Sequence, residues 1–291
     1  MEQVAALNEE AVEAWNGPLY ERFVAFRPVV TTGLGAHGEA AIACCSPRPG
    51  ERVLDIGCGF GDTTQRLGEL VGPTGSAVGI DAAERFIETA REEARSASAA
   101  NVEFLVGDVQ VADVGGPFDY AFSRFGTMFF ASPVAAMRNV RRALVPGGRL
   151  CIVVWRRKLD NDWMYRGETI VKGIVDRPEE FDEPTCGPGP FSMADADTTS
   201  DILLSAGFED VTLRRCDIEI TIGATLDEAI DILMALGPAG EVLRLQGDRA
   251  RHLYPQIDAA LREGLAEFVV EDGVRAPAST WIVTASAGAA A

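Results

Sequence analysis

Three glycines alternate with other residues directly after an apolar run, in Arg52-Val53-Leu54-Asp55-Ile56-Gly57-Cys58-Gly59-Phe60-Gly61-Asp62-Thr63-Thr64. The apolar residues read as a strand, the glycines as a tight turn, and the residues from Asp62 as the start of a helix. Glycine takes positive φ without penalty and lets a ligand lie against bare peptide, so this turn reads as a binding surface. Two further segments, Ser76-Ala77-Val78-Gly79-Ile80-Asp81 and Asn101-Val102-Glu103-Phe104-Leu105-Val106-Gly107-Asp108-Val109, read as strands that end in an acid. A carboxylate at the C-terminal end of a strand can accept both hydroxyls of a ribose, the role expected of Asp81. Taken alone, an aspartate there is more often a turn or cap residue. The glycine spacing is G-x-G-x-G, whereas a dinucleotide site uses G-x-G-x-x-G with a pyrophosphate on the helix N-terminus. Asp62 at that N-terminus would repel a pyrophosphate, which argues against a nicotinamide dinucleotide.

The elements that must carry these residues follow from periodicity. An amphipathic helix is expected from Val4 to Trp15, broken by Asn16-Gly17-Pro18, with a second helical piece from Leu19. Strands then alternate with helices at 62–71, 83–95 and 133–144, the rhythm of a parallel sheet covered on both faces. Between Arg156 and Ala194 the periodicity fails, and prolines and glycines cluster in Glu183-Pro184-Thr185-Cys186-Gly187-Pro188-Gly189-Pro190, which suggests an irregular lid. Asp195 to Ala206 reads as a helix closed by Gly207, Val211 to Ile222 as a long strand, and Thr225-Leu226-Asp227-Glu228 as a capped helix start. Thr280 to Ala285 supplies the last strand. The division expected is an N-terminal helical cap (1–45), a core (46–158), the lid (159–194), a return to the core (195–224), a helical insertion (225–272) and a last strand with tail (273–291).

The motif Val53 to Gly61 resembles that of the class I S-adenosylmethionine-dependent methyltransferases, and four later landmarks come in that family's order. They are the strands ending at Asp81 and at Gly107-Asp108, the strand Pro117-Phe118-Asp119-Tyr120-Ala121-Phe122-Ser123-Arg124, and the turn Leu144-Val145-Pro146-Gly147-Gly148-Arg149-Leu150 into a strand reaching Trp155. The resemblance covers about half the chain and extends to the ubiquinone/menaquinone-biosynthesis-type enzymes, from which the enlarged cap departs. It implies an α/β fold with a doubly wound, seven-stranded, mostly parallel Rossmann-like sheet of order 3-2-1-4-5-7-6, bearing helical cap insertions. It implies S-adenosylmethionine as cofactor, held by Asp55, Gly57, Cys58, Gly59, Gly61, Thr63, Asp81, Ala82, Asp108, Val109 and Ser123. In this scheme Asp108 takes the adenine amino group and Val109 the ring edge.

Ligands of open α/β sheets lie beyond the carboxyl ends of the strands, so these residues should converge on one rim covered by the cap. Candidate walls of an acceptor pocket are Trp15, Tyr20, Arg124, Phe125, Met128 and Trp155, with Phe129 and Trp163 beside them, although aromatic and methionine stripes are often core. Arg124, just after a buried strand, could meet the cofactor carboxylate or an acidic acceptor. Methyl transfer from a sulfonium is an in-line displacement that mainly requires alignment, and a general base only where the acceptor is a weakly acidic alcohol or phenol. The two histidines are His37 and His252. His37 could stand at the pocket mouth but reads more readily as structural, and no base is assigned.

Composition bounds the partners. The chain has 291 residues, 47% of them hydrophobic, and 44 acids against 26 bases for a net charge of -18. Such a surface would repel nucleic acid. The basic run Arg138, Arg141, Arg142, Arg149, Arg156, Arg157 and Lys158 reads as a solvated face or a local patch for an acidic partner. Six cysteines without a C-x-x-C pair argue against zinc, and apolar runs of strand length argue against a membrane span. A cytoplasmic enzyme, monomer or homodimer, acting on a small apolar or aromatic metabolite at O, N or C is the expectation. A protein methyltransferase and a non-enzymatic cofactor-binding protein are the alternatives.

Overall fold

The computed structural model describes residues 8–9, 11–175, 189–246 and 251–289. The expected helix from Val4 lies partly outside these residues, and most of the proline-glycine cluster, with Cys186, lies wholly outside them.

Among the described residues eight strands form one sheet: β1 (Arg52–Ile56), β2 (Ser76–Asp81), β3 (Val102–Val106), β4 (Phe118–Arg124), β5 (Leu144–Trp155), β6 (Glu209–Gly223), β7 (Val269–Val270) and β8 (Gly273–Ser286). The order is β3-β2-β1-β4-β5-β8-β6, with the short β7 pairing only β8. With β7 set aside, this is the expected order. The five strands on the β3 side are parallel, and β8 is antiparallel to both β5 and β6. Central parallel strands are covered on both faces and so read as unbroken apolar runs. Accordingly Val53, Leu54, Ile56, Tyr120, Ala121, Phe122 and Leu150 to Val154 are all buried.

Ten α-helices accompany the sheet among the described residues: α1 (Tyr20–Ala25), α2 (Gly35–Cys44), α3 (Asp62–Val71), α4 (Glu84–Ser96), α5 (Pro133–Ala143), α6 (Asp162–Ile174), α7 (Ala196–Ala206), α8 (Leu226–Leu236), α9 (Pro238–Gln246) and α10 (Tyr254–Leu265). The local signals behave as expected at two of them. Asp195 caps α7 by accepting from Thr198 N at 2.8 Å, and Gly207 closes it at φ +91. At α8, Thr225 Oγ1 accepts from Glu228 N at 3.2 Å while the Glu228 carboxylate accepts from Ala224 N at 2.7 Å. A reciprocal pair of this kind satisfies amides that the helix itself cannot.

Helix α6 corrects the expectation of an irregular stretch after Arg156. Its Gly167 and Gly173 weaken the helical pattern, but Gly167 has a packing reason: a Cβ there would lie 2.9 Å from Leu233 Cδ2 of α8. The chain's two lysines meet nearby. Lys158 and Lys172 each place Nζ 2.7 Å from a carboxylate oxygen of Glu168, which is 5% exposed. The basic run is likewise engaged within the protein. Arg138 and Arg141 donate to the carbonyls of Ser205 and Gly207, Arg149 pairs with Glu51, and Arg156 and Arg157 pair with Asp160. Several of these ties fix helices and strands to one another, while Arg138, Arg142 and Arg157 remain exposed.

Candidate active site

The glycine turn stands at the C-terminal end of β1 with Gly57, Gly59 and Gly61 at φ +65, +52 and +78. Each has its own reason. A Cβ at Gly57 would lie 2.8 Å from Gly126 Cα, and one at Gly61 would lie 2.6 Å from Phe104 and 2.9 Å from Ala90, so these two let β4 and α4 close in. A Cβ at Gly59 would find nothing nearer than Phe86 at 3.9 Å. The middle glycine therefore faces room, and that room is the place where a ligand can approach the backbone.

The turn's amides are largely spent on the protein itself. Gly57 N and Cys58 N both donate to Ile80 O at 2.8 and 3.1 Å, Gly61 N donates to Cys58 O at 2.9 Å, and Gly59 N donates to Asp81 Oδ2 at 3.0 Å. A phosphate-binding turn instead aims such amides at the anion. This turn makes space and offers little charge, which suits a ligand without phosphates and counts against a dinucleotide.

Asp81 ends β2 and accepts from Gly59 N and, at 2.9 Å, from Ala83 N, so the acid and the glycine turn hold each other in place. Ala82, half-buried, adjoins it. Asp55 is 1% exposed and accepts from Thr64 Oγ1 at 2.6 Å; burial pushes its carboxyl up to about 7. It ties β1 to α3 from beneath and has no path to a ligand. Asp108 accepts from Gln110 and, through Oδ2 at 3.0 Å, from Asn8 Nδ2 of the N-terminal segment. Thr63 is nearly buried in the first turn of α3.

Three expected cofactor residues turn their side chains elsewhere. The Cys58 thiol packs with Ile87, Ala90 and Phe104, and burial raises it well above its ordinary range, so it is no nucleophile. The Val109 side chain belongs to the main core, 3% exposed. Ser123 is 0% exposed and donates its hydroxyl to Ile56 O at 2.7 Å, bracing the root of the glycine turn. These positions shape the rim from behind, because a strand residue that faces the core cannot also face the ligand.

The proposed acceptor walls divide in the same way. Trp15 and Tyr20 come down on the glycine turn: Trp15 meets Phe23, Phe86 and Phe129 edge-on, and Tyr20 packs on Phe60 and Phe86 and bonds Thr89 at 2.8 Å. Phe60 lies within the turn and is 2% exposed. The Arg27–Glu93 ion pair, with the Arg27 guanidinium over Phe60, extends this cover. Met128, Trp155 and Trp163 are core residues, Met128 Sδ accepting from Trp155 N. Phe125, at φ +61, stacks on Trp155 with centroids 4.5 Å apart. His37 is fully buried against these two rings, shares a hydrogen bond with Thr280 Oγ1 at 3.0 Å, and is pushed down to about 4 by burial. It is structural, and His252 is exposed.

Arg124 alone of the six stays at an opening. It donates to Asp62 at 2.7 Å and to the carbonyls of Val30 and Thr31 at 3.3 and 3.4 Å, joining the N-terminal segment to the first turn of α3. It lines a cleft of about 440 Å³ with Thr31, Thr32, Glu39, Asp62, Thr63 and Arg66. Thr31, Thr32, Glu39 and Arg66 were not foreseen, since no motif marks them. No group of three or more His, Cys, Asp or Glu side chains could hold a metal among the described residues, and no described helix is long and apolar enough to cross a membrane.

Residues 47–180 match the family described as methyltransferase domain. Over that stretch the chain is similar to methyltransferase domains. The chain is 37% identical over 102 residues to demethylmenaquinone methyltransferase of Staphylococcus aureus, covering 35% of this chain and 42% of that protein. It is 38% identical over 104 residues to an uncharacterized 37.1 kDa protein in transposon TN4556 of Streptomyces fradiae, covering 35% of this chain and 30% of that one. The chain thus spans less than half the length of these curated relatives. Among solved structures it resembles the YcgJ protein from Bacillus subtilis, at 17% identity and TM-score 0.58 over 88% of this chain and 100% of that one. It also resembles phosphoethanolamine N-methyltransferase 2 of Haemonchus contortus, at 16% identity and TM-score 0.51 over 87% of this chain and 52% of that one. These structural likenesses concern the fold.

Proposed function

We propose that the chain is an enzyme that binds S-adenosylmethionine on the β1–β2–β3 rim and transfers its methyl group to O, N or C of a small metabolite. The observation that carries this is the glycine turn, whose middle residue faces room while its amides are satisfied by Ile80 O and Asp81. An adenosyl group needs a neutral surface to lie on and an acid for its ribose, which this arrangement supplies. When bound, the sulfonium provides an electrophilic methyl group. Asp81 accepts from the amides of Gly59 and Ala83, and a carboxylate's four lone-pair sites leave room for ribose hydroxyls. Trp15, Tyr20 and Phe60 exclude water from one side, and Arg124 draws the segment around Thr31 against α3. Enclosure of this kind protects a reactive donor from hydrolysis.

The cleft beside Arg124 is the acceptor site in this proposal. Its volume of about 440 Å³ suits a small molecule. Its lining, with two threonines and the pairs Arg124–Asp62 and Arg66–Glu39, favours an acceptor with polar groups over a wholly apolar or aromatic one. Both carboxylates are held by arginines, so alignment and not proton abstraction is the chemistry the cleft provides. Calorimetry with S-adenosylmethionine and S-adenosylhomocysteine tests the cofactor, and methyl transfer to a panel of small polar acceptors tests the reaction. Absence of heat with both nucleosides, alongside binding of a nicotinamide dinucleotide, would overturn the reading.

A further inference from the structure

Cys45 and Cys151, both free, meet where helix α2 ends over the sheet. On β4 and β5 the register pairs Tyr120 with Arg149 and Phe122 with Cys151, so these four side chains share one face, and Ala41 and Ile42 of α2 pack on it. Cys45 directly follows α2 and comes down on the same face. Its carbonyl accepts from Tyr120 Oη at 2.6 Å, and its thiol is hydrogen-bonded to the Cys151 thiol. Arg149 closes the corner. Its guanidinium lies 5.0 Å from the Tyr120 ring centroid, donates to Ser46 O at 3.0 Å and is shared with Glu51.

The two thiols differ in reach and in acidity. Cys45 is half-buried between the exposed Cys44 and Ser46, whereas Cys151 is 0% exposed. The hydrogen bond from Cys151, and after it the Arg149 charge, hold the Cys45 thiol below its ordinary range in spite of burial. The same contact and burial push Cys151 well above that range. A thiolate within reach of solvent attacks peroxides, and a second thiol poised beside it resolves the product. We propose that Cys45 and Cys151 form a reversible dithiol site at which hydrogen peroxide makes a disulfide between the end of α2 and β5. The Cys45 sulfur first attacks the peroxide: an S–O bond forms, the O–O bond breaks, hydroxide leaves, and the sulfur, oxidised by two electrons, becomes a sulfenic acid. The Cys151 sulfur then attacks it, an S–S bond forms, the S–O bond breaks, and the hydroxyl leaves as water with the Cys151 proton. In sum, two thiols and one hydrogen peroxide give one disulfide and two waters. Thiols already in hydrogen-bond contact need only a short approach to reach the bond length of about 2 Å. Helix α2 walls the Arg124 cleft with Gly35, Ala36, Gly38 and Glu39, so the bond fastens that wall to the sheet. Cys44, exposed and bonded by Arg214 at 3.0 Å, is the competing target.

The test is peroxide treatment of the full chain and of its Cys44→Ser, Cys45→Ser and Cys151→Ala variants, followed by thiol counting and mass spectrometry of the digest. The wild type should lose both thiols together, yield a linked peptide pair containing Cys45 and Cys151, and recover both thiols with dithiothreitol. Cys44→Ser should behave identically. Cys45→Ser should form no link and keep Cys151 reduced, and Cys151→Ala should stop at a Cys45 sulfenic acid that dimedone traps. Should Cys151→Ala fail to fold, the wild type and the Cys44 and Cys45 variants still decide. A link through Cys44, a link that persists in Cys45→Ser, or a wild type that keeps its thiols or carries only sulfinic acid at Cys45 would overturn the proposal. None of these outcomes bears on the cofactor reading.

Discussion

At the scale of single residues, the three glycines of the turn separate two tasks that a motif lumps together. Gly61→Ala puts a Cβ 2.6 Å from Phe104 and 2.9 Å from Ala90 at φ +78, so the variant suffers both strain and overpacking. A left-handed non-glycine residue costs about 1–2 kcal/mol and an overpacked core about 1–3 kcal/mol. Urea denaturation should show most of that sum. Gly59→Ala carries the left-handed strain at φ +52 but meets nothing nearer than 3.9 Å. It should lose only about 1–2 kcal/mol of stability. Its added methyl group projects into the space assigned to the nucleoside, so affinity for S-adenosylhomocysteine should fall by about tenfold or more. Undiminished affinity in Gly59→Ala would mean that the ligand lies elsewhere. Asp81→Asn makes a complementary case. Its two oxygens accept from Gly59 N and Ala83 N, and an amide can satisfy only one of these while its NH₂ opposes the other. Calorimetry should therefore show cofactor binding weakened by about tenfold or more, and a variant that binds like the wild type would remove Asp81 from the ribose role.

At the scale of elements, the N-terminal segment is held to the sheet by a few definable ties, of which Arg124 is the central one. Arg124→Met keeps the stem that packs on Gly38 but removes the bonds to Val30 O, Thr31 O and Asp62. Hydrogen exchange should quicken through residues 29–38 while β1 and β4 stay protected, because opening of this segment does not require unfolding of the sheet. Equal exchange in both proteins would show that the aromatic cover alone holds it. This segment also marks how far the sequence could be read. The strands of the parallel half and the caps at Asp195, Gly207 and Thr225 announce themselves through apolar runs and local hydrogen-bonding chemistry. Helix α6 does not, since Gly167 answers to Leu233 of α8, a neighbour distant in sequence. The start of β8 was hidden too. Pro277 would break a central strand, but the β5 pairing ends at Trp155↔Thr280, so at Pro277 β8 has only β6 beside it. Proline is tolerated where a strand lacks a partner on one side. The assignment of Met128, Trp155 and Trp163 to the pocket failed for a related reason: residue type marks them as apolar, and only packing decides between wall and core.

At the scale of the whole molecule, charge and burial act on stability together. The chain carries a net charge of -18, so its charged groups act on stability together. Two buried titratable groups then give the pH dependence a particular shape. Asp55 is pushed by burial from 3.8 to about 7, so between these values the folded state holds a proton that the unfolded chain has lost, and stability falls as pH rises. His37 is pushed by burial from 6.5 to about 4, so between these values the unfolded chain holds a proton that the folded state refuses, and stability rises with pH. From about pH 4 to 6.5 the two slopes oppose each other, and above 6.5 Asp55 is the one of these two that still contributes, up to about 7. The groups share no hydrogen bond, so their effects should add. Asp55→Asn, which keeps an acceptor for Thr64, should leave the His37 slope unopposed, so that its stability climbs relative to the wild type from pH 4 to 7. His37→Gln should do the reverse below pH 6.5, gaining on the wild type as the solution is made acidic. The double variant should follow the sum of the two differences. Urea denaturation of the four proteins at intervals from pH 4 to 7.5 measures this, and single-variant differences that stay constant across the range would show that neither buried group titrates with folding.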